Sequence, residues 1–235
     1  MILAVTYPGG KGKCYQHVIN LIPPHDTYIE SHLGGGAVLR HKQPARRSIA
    51  IDRDPNVVHE WSRSHPSLAE YRLADALEFL GAHCFTGAEV VYSDPPYLSR
   101  TRLRERVYRF DYSDEDHRQL LLLLRSLPCA VIVSGYPAAL YDVLLSGWNK
   151  REFSAKTHRG VRTEVLWFNF DPPSELHDSR YLGADFRERE VIRRRLSRLK
   201  ARLAQLPDVE RNAIRRWLES REGGRCANRS LVPAE

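Results

Sequence analysis

An α/β fold with a mainly parallel sheet, a late antiparallel hairpin and a basic C-terminal helical extension is predicted by three features of the 235-residue chain. Short apolar runs bounded by turn residues alternate with helical patterns, which favours βα units over an all-β or all-α arrangement. Two longer runs near the end of this region flank Gly160 and read as antiparallel neighbours. Beyond Pro172 and Pro173 the composition shifts, and near Phe186 it becomes dominated by arginine and leucine.

The predicted strands, in order, cover 27–30, 48–51, 72–74, 89–92 and 130–134, followed by the hairpin pair 151–156 and 163–170. Between the fourth and fifth strands, Ser113 supplies an N-cap, and Asp114, Glu115 and Asp116 put negative charge on the first turn of a helix. Leu120–Leu124 continue that helix and Pro128 closes it. In the C-terminal region Ile192, Leu196, Leu199, Leu203 and Leu206 recur at spacings of three and four, giving one apolar face among basic ones. Pro207 and Asp208 interrupt this helix before a second amphipathic set, Val209, Ile214, Trp217 and Leu218. Two roles fit this pair: a helical hairpin packed on the main domain, or a module that contacts nucleic acid directly. The expected division is a catalytic domain over 1–178, a basic helical extension over 179–222 and a disordered tail over 223–235.

Composition narrows the chemistry. Four cysteines lie far apart without a CxxC pair, and ten histidines lack an HExxH or comparable spacing, so neither a disulfide framework nor a metal is expected. No run approaches the roughly 18–20 apolar residues of a membrane span. The expectation is a soluble, cytoplasmic, nucleoid-associated monomer. A net charge of +7 favours a polyanionic partner. Thirteen basic residues against six acidic ones lie between Arg187 and Arg225. A second basic cluster comprises Arg100, Arg102, Arg104, Arg106 and Arg109.

Gly34, Gly35 and Gly36 lie between the strand ending at Glu30 and a helical pattern beginning at Ala37, where glycine allows a backbone to approach a ligand closely. Asp52 stands at the end of the next strand, where a carboxylate can accept from both hydroxyls of a ribose. A dinucleotide site would want a third glycine where this chain has Leu39, and the segment Gly9 to Lys13 lacks the pattern of a P-loop. After the strand 89–92 comes Asp94-Pro95-Pro96-Tyr97. Here a carboxylate and a proline carbonyl can accept both hydrogens of an exocyclic amine while the tyrosine ring stacks on a base.

Together these motifs resemble the Dam-type DNA adenine-N6 methyltransferase family over roughly residues 5–171. The opening motif corresponds to Tyr7, Pro8, Gly9, Gly10 and Lys11; the cofactor loop to Glu30 through Gly36; the second acid to Asp52; and the catalytic motif to Asp94 through Tyr97. The resemblance implies the Rossmann-like S-adenosylmethionine-dependent methyltransferase fold. It also implies methyl transfer from S-adenosylmethionine to the N6 of an adenine flipped out of double-stranded DNA. Tyr7, Lys11, Glu30, Gly34, Gly36, Asp52, Asp75 and Asp94 would border the cofactor, and Asp94, Pro95 and Tyr97 would act at the base. Phosphate contacts are expected from the arginines between Arg100 and Arg109. Such enzymes can belong to restriction-modification pairs.

Two departures stand out. Ser31 and His32 occupy positions where the family usually has proline and phenylalanine. Only about 57 residues separate Gly36 from Asp94, too few for the recognition region that members with this motif order carry there. Cytosine N4, RNA adenine or a non-catalytic role on a decayed methyltransferase are the competing readings.

Overall fold

In a computed structural model, residues 14–101, 109–157 and 160–226 are described. The chain divides into two compact units, Met1–Tyr181 and Leu182–Glu235.

The first unit is built on one seven-stranded sheet. Its strands are β1 (Thr27–Glu30), β2 (Arg47–Asp52), β3 (Glu70–Leu73), β4 (Glu89–Ser93), β5 (Ala130–Gly135), β6 (Asn149–Thr157) and β7 (Gly160–Phe168). They lie in the order β3-β2-β1-β4-β5-β7-β6. The pairs among β1 to β5 are parallel, and β7 is antiparallel to both β5 and β6. The mainly parallel sheet with its late hairpin is therefore present as predicted. The sequence had begun β7 three residues late and ended it two residues late. Val161 and Arg162 are polar or exposed in their setting and carry little apolar signal, yet they pair in register with Lys156 and Ala155.

Alternation along the strands distributes side chains between two cores, as expected for a sheet covered on both faces. Ile29, Ile49, Ile51, Val91, Val131, Val133 and Trp167 pack on one side, with residues of α4 (Ala76–Ala82), α5 (Asp114–Ser126) and α6 (Ala139–Leu144). Tyr28, Ala50, Val90, Tyr92, Ile132, Leu166 and Phe168 pack on the other, with α1 (Tyr15–Ile19), α2 (Ala37–His41) and α3 (Pro55–Ser64). Helix α5 begins in the capping box anticipated from sequence, with Ser113 and Asp116 exchanging side-chain and backbone hydrogen bonds.

The strand order also locates a binding crevice. From β1 the chain runs through α2 to β2 on one side, whereas from β4 it runs through α5 to β5 on the other. The connections leaving β1 and β4 therefore part to opposite faces of the sheet. The carboxyl ends of these two strands form the switch point at which ligands bind in open α/β sheets.

The second unit contains α7 (Phe186–Ala204) and α8 (Asp208–Cys226). Asp185 caps α7 through the Glu188 amide. Helix α8 continues four residues beyond the predicted end at 222. No α7 residue is fully buried. Val191, Leu199, Leu203, Val209, Trp217 and Leu218 remain exposed. No described helix is long and apolar enough to cross a membrane.

Candidate active site

The glycine loop follows β1 directly and is tied at both polar groups of Gly34. Its N–H donates to Asp52 Oδ2 at 2.8 Å, while its carbonyl accepts from Trp61 Nε1 at 3.0 Å. Asp52 ends β2, next to β1, so the parallel register brings it beside the loop. Asp52 Oδ1 accepts the Asp54 amide at 2.8 Å. Because a carboxylate offers about four acceptor sites, these two bonds leave capacity for ribose hydroxyls. Burial raises the Asp52 pKa, with the Asp54 and Gly34 amides opposing that shift.

Trp61 is the residue the motif reading missed. It lies one helical turn after Val57, and both face the core from α3. Gly36 takes a left-handed conformation at φ +51°, directly over the indole. Periodicity alone could mark Trp61 as a core residue, but not as the floor of a glycine loop.

Glu30, expected to border the cofactor, is buried at the end of β1. It is 3% exposed, and its Oε2 accepts from Tyr28 Oη at 2.8 Å and from the Leu39 amide at 3.1 Å. Leu39 belongs to the first turn of α2, whose N-cap, Gly36, has no side chain to offer. Glu30 thus satisfies one of the helix's initial donors from the strand below. Buried Lys42 closes the same region, placing its ammonium 4.2 Å from the Tyr28 ring centroid and donating to the Gln43 carbonyl. Desolvation pushes the Glu30 carboxyl up from 4.5 to about 8, with a further contribution from Asp94. Desolvation also brings Lys42 down from 10.5 to about 8.

Below pH about 8 folded Glu30 retains a proton that the unfolded chain releases, so stability falls as pH rises from about 5 to 8. Above it, folded Lys42 releases a proton that the unfolded chain keeps, so stability recovers toward pH about 10. Glu30→Gln keeps an oxygen acceptor and should flatten the falling limb. Calorimetric Tm profiles of the two proteins test this, and parallel profiles would count against it.

Asp75 caps α4 through the Leu77 amide at 2.8 Å and pairs with Arg53 at 3.4 Å. Arg53 lies 5.8 Å from the ring centroids of both Phe110 and Tyr112. His32 connects this side to the crevice: its Nε2 is 3.0 Å from Tyr112 Oη, and its Nδ1 is 2.9 Å from Ser31 Oγ and 3.4 Å from Ser93 Oγ. Desolvation lowers the imidazole to about 3. Neutral His32 can therefore donate at one nitrogen and accept at the other, a polar substitute for the phenylalanine expected from the resemblance.

Across the switch point, Asp94 and Pro95 follow β4. Ser134 Oγ donates to Asp94 Oδ1 at 2.7 Å and lies 3.1 Å from Tyr92 Oη. Sheet register explains this contact, because Ser93 pairs with Val133 and the next positions are Asp94 and Ser134. Tyr97 Oη donates to Glu164 Oε2 at 3.2 Å. The structure thus brings Gly34, Gly36, Asp52, Asp94, Pro95 and Tyr97 to the carboxyl ends of β1, β2 and β4, with Asp75 beyond β3.

Tyr7, Lys11, Arg102, Arg104 and Arg106 lie outside the described residues. Arg100 is in a 3-10 turn, Ser99–Thr101. Exposed Arg109 pairs with Asp54 Oδ1 at 3.4 Å, which partly compensates the positive charge expected to face phosphate. Among the described residues, no group of three or more His, Cys, Asp or Glu side chains is arranged to hold a metal.

No protein-family model matches the chain, and no curated protein sequence matches it. Its fold is similar to several solved structures. A precorrin 8w decarboxylase of Methanobacterium thermoautotrophicum is 14% identical, with 71% of this chain and 94% of that chain covered and a TM-score of 0.46. An rRNA methylase from Streptococcus thermophilus is 9% identical, with coverages of 66% and 93% and a TM-score of 0.46. TrmK of M. capricolum, in complex with its natural cofactor product S-adenosyl-homocysteine, is 11% identical, with coverages of 87% and 93% and a TM-score of 0.45.

Proposed function

We propose that this protein is an S-adenosylmethionine-dependent adenine-N6 methyltransferase acting on double-stranded DNA. The observation that supports this most is the meeting of two dissimilar sets of groups at one switch point. A pinned glycine loop and a ribose-compatible acid lie on the β1–β2 side, opposite an amine-accepting carboxylate and a proline carbonyl after β4.

The residues fit the cofactor in acceptor chemistry and in space. Asp52 retains acceptor capacity for two hydroxyls, Asp75 is an acid at the end of the neighbouring strand, and the glycine loop presents little side-chain bulk. When bound, S-adenosylmethionine supplies an electrophilic methyl group on sulfur. The protein's task is to orient a weak nucleophile toward it. Asp94 Oδ and the Pro95 carbonyl accept the two N6 hydrogens, drawing the nitrogen lone pair out of conjugation with the ring. Ser134 holds Asp94 in place for this role. Methylation would leave the amine with one proton to lose, and Asp94 or solvent would accept it. Orientation and electrostatic stabilisation carry the catalysis, and no covalent protein intermediate is needed.

Target contacts must come from outside the stretch between Gly36 and Asp94, which α2 through β4 fill as scaffold. The arginine cluster after the catalytic motif and basic α7 supply positive charge for phosphate contacts.

Incubation with labelled S-adenosylmethionine and unmethylated duplex DNA, followed by nucleoside mass spectrometry, tests the proposal. N6-methyladenine is expected in DNA. Product in RNA alone, or N4-methylcytosine, would replace the substrate assignment. Absence of cofactor binding would defeat the enzymatic one.

A further inference from the structure

The reacting amine has its acceptors at Asp94 and Pro95, but the rest of a target base needs surfaces that the sequence motifs do not provide beyond Tyr97. Side chains from the position just after β5 and from the hairpin converge on that tyrosine. Its ring meets Tyr136 edge-on, with centroids 4.5 Å apart and planes at 71°. The Arg162 guanidinium lies 5.0 Å from the Tyr136 centroid and donates to the Thr101 carbonyl at 3.2 Å. Glu164, which accepts the Tyr97 phenol, is 8% exposed.

Register accounts for this convergence. Gly135 pairs with Val165 across the antiparallel β5–β7 ladder, so Tyr136 and Glu164 occupy the next opposing positions. Val165 through Phe168 are apolar core, whereas Glu164 places a carboxylate at the margin of the same core. A buried carboxylate is costly unless hydrogen-bonded, and the phenol of Tyr97 is one donor that meets the need. The bond works in both directions, since it also anchors the phenol end of the Tyr97 side chain. Tyr97 is 6% exposed and Tyr136 is half-buried, so Tyr136 is the more accessible of two nearly perpendicular aromatic surfaces. A planar base stacked on one ring would direct its edge toward the other.

We propose that Tyr136 and Glu164 belong to the target-base subsite: Tyr136, with Arg162 stacked on it, is a second aromatic wall for an amine-bearing purine, and Glu164 is a positioning residue for Tyr97. This rests on the methyltransferase reading and adds a contribution of the hairpin to base selection. Acceptance of a purine then depends on the angle between the two rings as well as on the acceptors at Asp94 and Pro95.

The test uses the full chain with Glu164→Leu, Glu164→Gln, Tyr136→Ala, Tyr97→Phe and the Tyr97→Phe/Glu164→Leu double variant. Steady-state methylation of unmethylated duplex DNA is measured beside calorimetric binding of S-adenosylmethionine. Glu164→Leu and Tyr136→Ala should raise the KM for DNA by about tenfold or more while cofactor binding stays at the wild-type value. Glu164→Gln, which keeps an acceptor for the phenol, should restore the KM to within about twofold. The double variant should be no worse than Glu164→Leu alone, because both changes remove one hydrogen bond. Wild-type KM in Glu164→Leu and Tyr136→Ala, with an active parent enzyme, would overturn this inference alone. Equal damage in Glu164→Gln and Glu164→Leu, accompanied by lost cofactor binding, would also overturn it by assigning Glu164 to the core. A parent protein that methylates neither DNA nor RNA would overturn the underlying functional reading and this inference with it.

Discussion

Asp94→Ala is expected to reduce methyl transfer by at least about 10²–10³-fold while leaving cofactor affinity and folding nearly intact. The side chain is half-buried at the end of β4, so its loss opens no large cavity. It does remove the Ser134 hydroxyl's partner at 2.7 Å, but Tyr92 Oη remains 3.1 Å from that hydroxyl. The structural cost should therefore be near that of one hydrogen bond, about 1 kcal/mol. In the proposed reaction the catalytic cost is larger, because the acceptor acts where charge develops on the amine. Two companion variants separate its roles. Asp94→Asn keeps the side-chain volume but can present an amide donor to the substrate amine, so its rate should remain close to that of the alanine variant. Ser134→Ala leaves the carboxylate present without its anchor and should cost only about tenfold. Single-turnover methyl transfer with saturating DNA and cofactor is the appropriate measurement. An Asp94→Ala enzyme within tenfold of wild type would refute the amine-orienting mechanism.

The contrast between Asp94 and Ser134 shows how much of the site was legible in the chain. Asp94 was readable because four successive residues and the strand before them carry a local pattern, and the parallel sheet followed from local alternation of apolar runs. Ser134 is an ordinary polar residue at the end of another strand, and only the β4–β5 register makes it a neighbour of Asp94. Glu164 and Trp61 were hidden for the same reason. Their roles depend on contacts across 67 and 27 residues of sequence, respectively. Glu30 is a mixed case. Its place before the glycine loop was legible, but its bonds were not: side-chain alternation within β1 puts it on the same face as Tyr28, where its carboxyl accepts from the first turn of α2. Local motifs thus identified the loops at the switch point, while sheet register and face determined which neighbouring groups hold them.

Gly36→Ala should have the largest effect on the cofactor side of the site. The added Cβ would lie 2.4 Å from Trp61 Cζ2, 2.8 Å from Cη2 and 2.9 Å from Cε2. These are atoms of a rigid indole that is 1% exposed and bounded by the His65 and Tyr71 rings at centroid distances of 4.8 and 6.4 Å. The substitution also places a side chain on a left-handed backbone, at a cost of roughly 1–2 kcal/mol. Overpacking adds roughly 1–3 kcal/mol, and the combined loss corresponds to a Tm decrease on the order of 10 °C. Movement of either partner would also disturb Gly34, whose carbonyl is held by the same indole, so S-adenosylmethionine affinity should fall with stability. A double-mutant cycle with Trp61→Leu distinguishes the two costs. Removing the indole relieves the overlap but not the backbone conformation, so Gly36→Ala should cost only about 1–2 kcal/mol in that background. An equal cost in both backgrounds would mean that the indole is not the obstacle. A stability loss without a change in cofactor affinity would separate Gly36 from the proposed cofactor loop, since the strain would then be absorbed without moving Gly34.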